Sequence, residues 1–214
     1  MATIDNIEVF TQNSIRIKDS GAVIYIDPFQ MREEPKDGDY ILITHDHYDH
    51  FSPENIAKVS KKETVLVVPE KMEKQAQEAA ALVGKIITVK PEMEYQIDEL
   101  KLETVPAYNS MKPFHPKSSG WVGYILHIGG KRIYAAGDTD ATKEAKQVKC
   151  DIALVPIGGT YTMDAKKAAE LVNTIRPETA IPTHYGTIVG KPEDADVFAA
   201  NVEKSIKVEV IKQY

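Results

Sequence analysis

Short apolar runs crowd the first half of the chain, at 7–10, 14–18, 23–26, 40–44 and 64–68. They are rich in β-branched and aromatic side chains, and turn formers such as Asp19-Ser20-Gly21 and Lys36-Asp37-Gly38-Asp39 interrupt them, which predicts strands. Residues 70–83 read differently. Met72, Ala76, Ala79, Ala80 and Val83 recur at helical spacing and Gly84 supplies a stop, so a helix is expected. Further strands are expected at 101–106, 121–128, 131–135, 152–156, 179–181 and 207–211. Helices are expected at 162–175, with Thr162 as N-cap, and at 192–204. Strands mixed with helices in this order disfavour a bundle or a pure sandwich and predict a large sheet system covered by helices.

Length and charge narrow the class. The 214 residues are 43% hydrophobic, enough for one continuous core, and a single domain over 1–214 is expected. The formal net charge is −6, whereas a protein that grips nucleic acid through phosphates usually carries a basic excess. Nucleic acid is therefore not expected as a partner. No stretch approaches the roughly 18–20 consecutive apolar residues of a membrane helix, and Met1–Asp5 has neither a basic nor an apolar leader region. A cytoplasmic protein acting on a small molecule is the expectation. The one cysteine, Cys150, excludes an internal disulfide and reads as a small buried side chain.

Chemistry concentrates at Thr44-His45-Asp46-His47-Tyr48-Asp49-His50, directly after the run 40–43. Three of the six histidines fall within six residues, interleaved with carboxylates. Imidazole and carboxylate are ordinary ligands for zinc and similar divalent ions. His45 and His47, two apart in an extended segment, can grip one ion, and Asp49 and His50, beyond a turn, can address a second. Ser52-Pro53 then starts a helix, with Ser52 as N-cap.

This His-x-His-x-Asp-His segment resembles the signature of the metallo-β-lactamase superfamily of metal-dependent hydrolases. Ile24-Tyr25-Ile26-Asp27-Pro28-Phe29 ahead of it, and Ala136-Gly137-Asp138-Thr139 and Ile181-Pro182-Thr183-His184-Tyr185-Gly186 after it, extend the resemblance over nearly the whole chain. The segment from Ile157 to Asp164, followed by Ala168, is similar to small bacterial hydrolases related to ascorbate-6-phosphate lactonase. The resemblance implies an αββα sandwich with two divalent ions, zinc or manganese. His45 and His47 would hold the first ion and Asp49, His50 and His184 the second, with Asp138 bridging. It further implies attack by a hydroxide shared between the ions, with Asp49 helping to orient it.

The chain departs from this pattern at one place. Many relatives carry a histidine after the strand that here reads Thr104-Val105-Pro106-Ala107-Tyr108, and this chain has Asn109. Either His115 returns to fill the place, or Asn109 supplies an oxygen, or the first ion is under-coordinated. The loop 109–120 contains two prolines and no acid. Proline fixes φ, and a loop held by Pro113 and Pro116 could present His115 in one orientation, so His115 is preferred.

Asn109, Lys112 and Lys117 are candidate substrate contacts, the lysines for a phosphate or carboxylate. Asp27 can support a ligand histidine, Tyr48 and Tyr185 can wall the site, and His127 reads as an ordinary strand histidine. The expected activity is hydrolysis of a small anionic ester, lactone or phosphoester. The rivals are a nucleic-acid-processing hydrolase, a metal-binding or regulatory module without turnover, and a redox di-iron site.

Overall fold

In a computed structural model of the chain, residues 6–19, 21–110 and 114–211 are described. Two sheets stack face to face. The first has the order β1 (Ile7–Val9), β2 (Ile15–Asp19), β3 (Ala22–Ile26), β4 (Gly38–Leu42), β5 (Ser60–Pro69) and β6 (Lys85–Val89). The second runs β13 (Lys207–Val208), β12 (Thr179–Thr183), β11 (Ile152–Pro156), β10 (Lys131–Ala135), β9 (Val122–Ile128), β8 (Leu100–Pro106) and β7 (Glu94–Ile97). Within each sheet one part is antiparallel hairpins and the other, β3–β6 and β10–β13, is parallel.

Alternation along the strands explains the layers, because successive side chains point to opposite faces. Ile24, Ile26, Leu42 and Val67 of the first sheet meet Leu102, Tyr124, Leu126 and Leu154 of the second in the central core. Tyr25, Ile41, Leu66 and Val68 point the other way, against Ile56 and Val59 of α1 (Pro53–Val59) and Met72 and Ala76. On the far side, Tyr134, Ala153 and Val155 receive Ala168, Leu171, Val172 and Ile175, one stripe of α3 (Ala165–Ile175), together with Phe198 of α4 (Asp194–Asn201). This is the four-layer αββα sandwich. Among the described residues no helix is long and apolar enough to cross a membrane.

Several elements differ from the sequence reading. Residues 70–83 do not form one helix: α2 is only Glu73–Ala76, with 3-10 turns at Glu70–Met72 and Gln77–Leu82. The segment starts after Pro69 with no side-chain cap, so its orphan N–H groups lack the partner that would favour a regular α start. Asp164, not Thr162, caps α3, its Oδ1 accepting from Lys167 N at 2.9 Å. The helix expected over 192–204 is shorter, and the last strand pairs only over Lys207–Val208. Strands β6 and β7 were not expected. Ser52 does cap α1, accepting from Asn55 N, with Pro53 at the first position.

Candidate metal centre

The parallel strands aim their C-terminal ends at one edge of the sandwich, the usual place for a site in sheets of this kind. Asp27 follows β3, His45–His50 follow β4, Asp138 follows β10 and His184 follows β12. Hydrogen bonds tie the two sheets together there. Val122 N donates to Thr44 O at 3.1 Å, Tyr124 Oη to Ile43 O at 2.7 Å, and His184 N to Gln12 O at 2.9 Å. Asp27, His184 and Gln12 all have left-handed backbones, with φ of 45°, 56° and 55°. Strain of this kind in non-glycine residues clusters at functional sites. Gly137 is also left-handed at φ 63°, and a Cβ there would lie 3.0 Å from Thr44. Only glycine lets Asp138 approach so close to the segment bearing the histidines.

The side chains fall into two groups. His45, His47, His115 and Asp138 form one, and Asp49, His50 and His184 the other, with ligand atoms within 4.8 Å of one another in each. Asp138 faces both: Oδ2 is 3.9 Å from His45 Nε2, while Oδ1 is 3.2 Å from His184 Nε2 and 3.5 Å from His50 Nε2. His45 Nε2 and His47 Nδ1 are 3.0 Å apart, and His50 Nε2 and His184 Nε2 are 3.2 Å apart. His115 Nε2 and Asp138 Oδ1 are buried with no hydrogen-bond partner. Orphaned buried polar atoms of this kind call for an explanation. Converging imidazole lone pairs and a carboxylate fit two divalent cations, which would satisfy all of them at once.

An inner network sets the orientation of the rings. Asp27 accepts from Thr44 N at 2.8 Å, Thr44 Oγ1 at 2.7 Å, Asn13 Nδ2 at 2.8 Å and His50 Nδ1 at 2.7 Å. Thr44 has one hydroxyl proton and gives it to Asp27. Its oxygen then accepts from His45 Nδ1 at 2.9 Å. Both histidines thereby carry the proton on Nδ1 and turn Nε2 toward the centre, the support that ligand histidines require.

Burial and charge sort the titrations. Burial, reinforced by the neighbouring imidazoles His50, His115, His47 and His184, holds His45 well below the ordinary histidine value. The same causes, burial first and then His47, His50 and His184, bring His115 down to about 2. These rings stay neutral and keep a lone pair to donate. Burial also opposes charge on His50, but the carboxylates of Asp138, Asp27 and Asp49 outweigh it and raise that ring to about 9. Burial alone would raise Asp49. The hydrogen bond to His184 and the charge of His50, with help from Gln12, hold it below the usual carboxylate range.

The loop after β8 answers the departure at Asn109. Asn109 N donates to His115 O at 2.7 Å, so the loop closes on itself and brings His115 beside the place of Asn109. The His115 ring packs on Trp121, with centroids 4.2 Å apart, and against His45 at 4.5 Å. The Asn109 Nδ2 donates to Tyr161 O at 2.9 Å, while its Oδ1 is buried without a hydrogen-bond partner. Lys112 and Pro113 lie outside the described residues. Lys117 is engaged elsewhere, with Nζ 2.7 Å from Glu144 and over the Tyr108 ring at 5.2 Å.

Tyr48 is exposed beside the site, while Tyr185 is buried in the core under α3 and offers no face to a substrate. His127 pairs with Glu103 at 2.6 Å, and burial pushes the half-buried Cys150 thiol up to about 12. Sequence reading missed Gln12, whose Nε2 lies 3.4 Å from Asp49 Oδ2 and 3.3 Å from His184 Nε2. Gln12-Asn13 looks like an ordinary polar turn between strands, and nothing in it signals burial.

A family model described as the beta-lactamase superfamily domain matches residues 6–184. A UPF0173 metal-dependent hydrolase of Symbiobacterium thermophilum is 30% identical over 207 residues, covering 90% of this chain and 89% of the relative. Another of that name from Pyrococcus abyssi is 34% identical over 206 residues, covering 88% of each. The crystal structure of a Parabacteroides distasonis protein superposes with a TM-score of 0.80 at 30% identity, over 96% of this chain and 91% of that one. The chain therefore belongs to the metallo-β-lactamase superfamily and, within it, to the UPF0173 metal-dependent hydrolases.

Proposed function

We propose that the chain, acting as one domain, hydrolyses a small ester, lactone or phosphoester with two zinc or manganese ions. His45, His47, His115 and Asp138 would hold one ion, and Asp49, His50, His184 and the same Asp138 the other. The observation that carries this reading is the division of Asp138, one oxygen toward each histidine group. Ions bound there would supply Lewis acidity and lower the pKa of water to about 7.

The chain's own groups do the rest. Asp49, kept ionised and anchored by Gln12, would orient the attacking water by accepting a hydrogen bond from it. Asp27 and Thr44 hold His50 and His45 to one tautomer, so the donor geometry is set before substrate arrives. The likeness of 157–164 to ascorbate-6-phosphate lactonase relatives supports a lactone among the acyl substrates.

The test compares two aspartates. Asp138→Asn should lose bound metal and turnover together. Asp140, whose Oδ2 accepts from Ser110 N at 2.9 Å, belongs to neither histidine group, and Asp140→Asn should keep both. Equal behaviour of the two variants removes the bridging role. A metal-loaded wild type that turns over no lactone, ester or phosphodiester would leave a binding module instead.

A further inference from the structure

Beside the two histidine groups opens a cavity of about 320 Å³, whose floor is Gln12, His47, Asp49, Asp138 and His184. Its walls are of another character: Tyr48, Phe114, Tyr161, Ile188 and Val189. Tyr48 is 66% exposed, Phe114 55%, Tyr161 41% and Ile188 44%. Only three other large apolar side chains among the described residues are exposed, Met93, Val197 and Val210, and none of them lines this cavity. Phe114 and Tyr161 meet edge to face with centroids 5.5 Å apart, and Tyr48 is braced the same way on Phe29 at 5.9 Å. Large apolar side chains gathered in the open around a reactive floor mark a ligand surface.

Charge points the same way. No described residue lining the cavity is a lysine or arginine. Lys117, one of the two cations expected there, is held by Glu144, and the Asn109 Nδ2 by the backbone of Tyr161. An anionic tail lying along these walls would lose water and gain no cationic partner among the described residues, of which Lys112 is not one.

We infer that, of the classes proposed above, the substrate is an uncharged ester or lactone with an aryl or medium-length alkyl group, which lies against Tyr48, Phe114, Tyr161 and Ile188 while its scissile bond faces Asp49 and Asp138. The inference rests on the hydrolase reading for the bond that breaks, but not for the binding of the apolar group. It differs from the anionic substrate expected from the loop lysines, of which Lys117 is held by Glu144 and Lys112 lies outside the described residues. A cavity of this size suits a small molecule, near the lower end of known ligand pockets.

The experiment has a kinetic and a binding arm. With zinc- or manganese-loaded protein, kcat/KM for p-nitrophenyl acetate, butanoate and hexanoate should rise about three- to fourfold per buried methylene. The mono-p-nitrophenyl ester of adipic acid, as long as the hexanoate but ending in a carboxylate, should fall on the order of tenfold or more below it. Phe114→Ala and Ile188→Ala should flatten the chain-length dependence. In the binding arm, the neutral dye N-phenyl-1-naphthylamine should bind metal-free protein, and Tyr161→Ala should weaken it severalfold.

A flat chain-length series, or an adipate ester hydrolysed as well as the hexanoate, overturns the inference, and so does failure of the dye to bind. If no ester, lactone or phosphodiester is hydrolysed but the dye binds and Tyr161→Ala weakens it, the hydrolase reading fails while the preference of the cavity for an apolar ligand stands.

Discussion

Asp27 Oδ2 lies 2.7 Å from His50 Nδ1, and both side chains are fully buried. The pair reaches from the end of β3 to the loop after β4, and the Asp27 carboxylate also takes the Thr44 and Asn13 donors. One carboxylate therefore orients the centre before any ion arrives.

Removing it should be felt in metal binding first. Asp27→Asn keeps a residue that tolerates the left-handed backbone but loses the charge facing His50. Metal affinity measured by chelator competition should fall about 10- to 100-fold. Asp27→Ala leaves several buried donors unpaired and should in addition destabilise the metal-free protein by about 3 kcal/mol or more. Unchanged affinity in both variants would reduce Asp27 to a turn residue.

Trp121 provides a reporter for one half of the centre. It is the only tryptophan, and its ring sits 4.2 Å from His115, 5.1 Å from His47 and 5.2 Å from His45, centroid to centroid. Cobalt added to metal-free protein should quench its fluorescence. The midpoint should move to higher cobalt, by about tenfold or more, in His115→Ala, and much less in Asn109→Ala. A midpoint indifferent to His115→Ala would take that histidine out of the ligand set.

Two glycines separate backbone strain from crowding. Gly130 is left-handed at φ 79° with open space where a Cβ would go, so Gly130→Ala should cost about 1 kcal/mol in urea unfolding. Gly137 adds the 3.0 Å approach to Thr44, and Gly137→Ala should cost about 2–3 kcal/mol and weaken metal binding by displacing Asp138. Equal costs would mean that Thr44 yields freely.

A pH test lies away from the two histidine groups, across β8, β9 and β10. Burial would raise the Glu103 carboxyl, but hydrogen bonds from Arg132 and His127 outweigh it and bring it below its ordinary 4.5. A lowered folded value gives stability that is present above the unfolded value and lost as pH falls through the folded one. Glu103→Gln should therefore be less stable than wild type by about 1 kcal/mol at pH 7. The gap should begin to narrow as pH falls below the ordinary 4.5 and vanish below the lowered folded value. A gap that does not change with pH would assign it to packing.

Local patterning settled much of this protein. Ile24-Tyr25-Ile26 and Tyr40-Ile41-Leu42 announce strands with two different buried faces, and the crowding of His45, His47, Asp49 and His50 announces metal chemistry before any fold is known. These signals are local, carried by spacing alone. Strands β6 and β7 were hidden because their residues are half exposed: Lys85–Val89 and Glu94–Ile97 lie at sheet edges, where only pairing with β5 and β8 makes them strands. Other features depend on contacts across the chain. His115 joins the first histidine group because its loop closes on Asn109 and its ring packs on Trp121. Gln12 reaches the site because β1 and β2 run beside the end of β12, 172 residues later in sequence. Lys117 leaves the site because Glu144, 27 residues on, offers it a nearer charge. Spacing along the sequence could nominate the ligands. Only long-range packing and hydrogen bonding, which spacing does not encode, chose among the candidates and shaped the apolar cavity beside them.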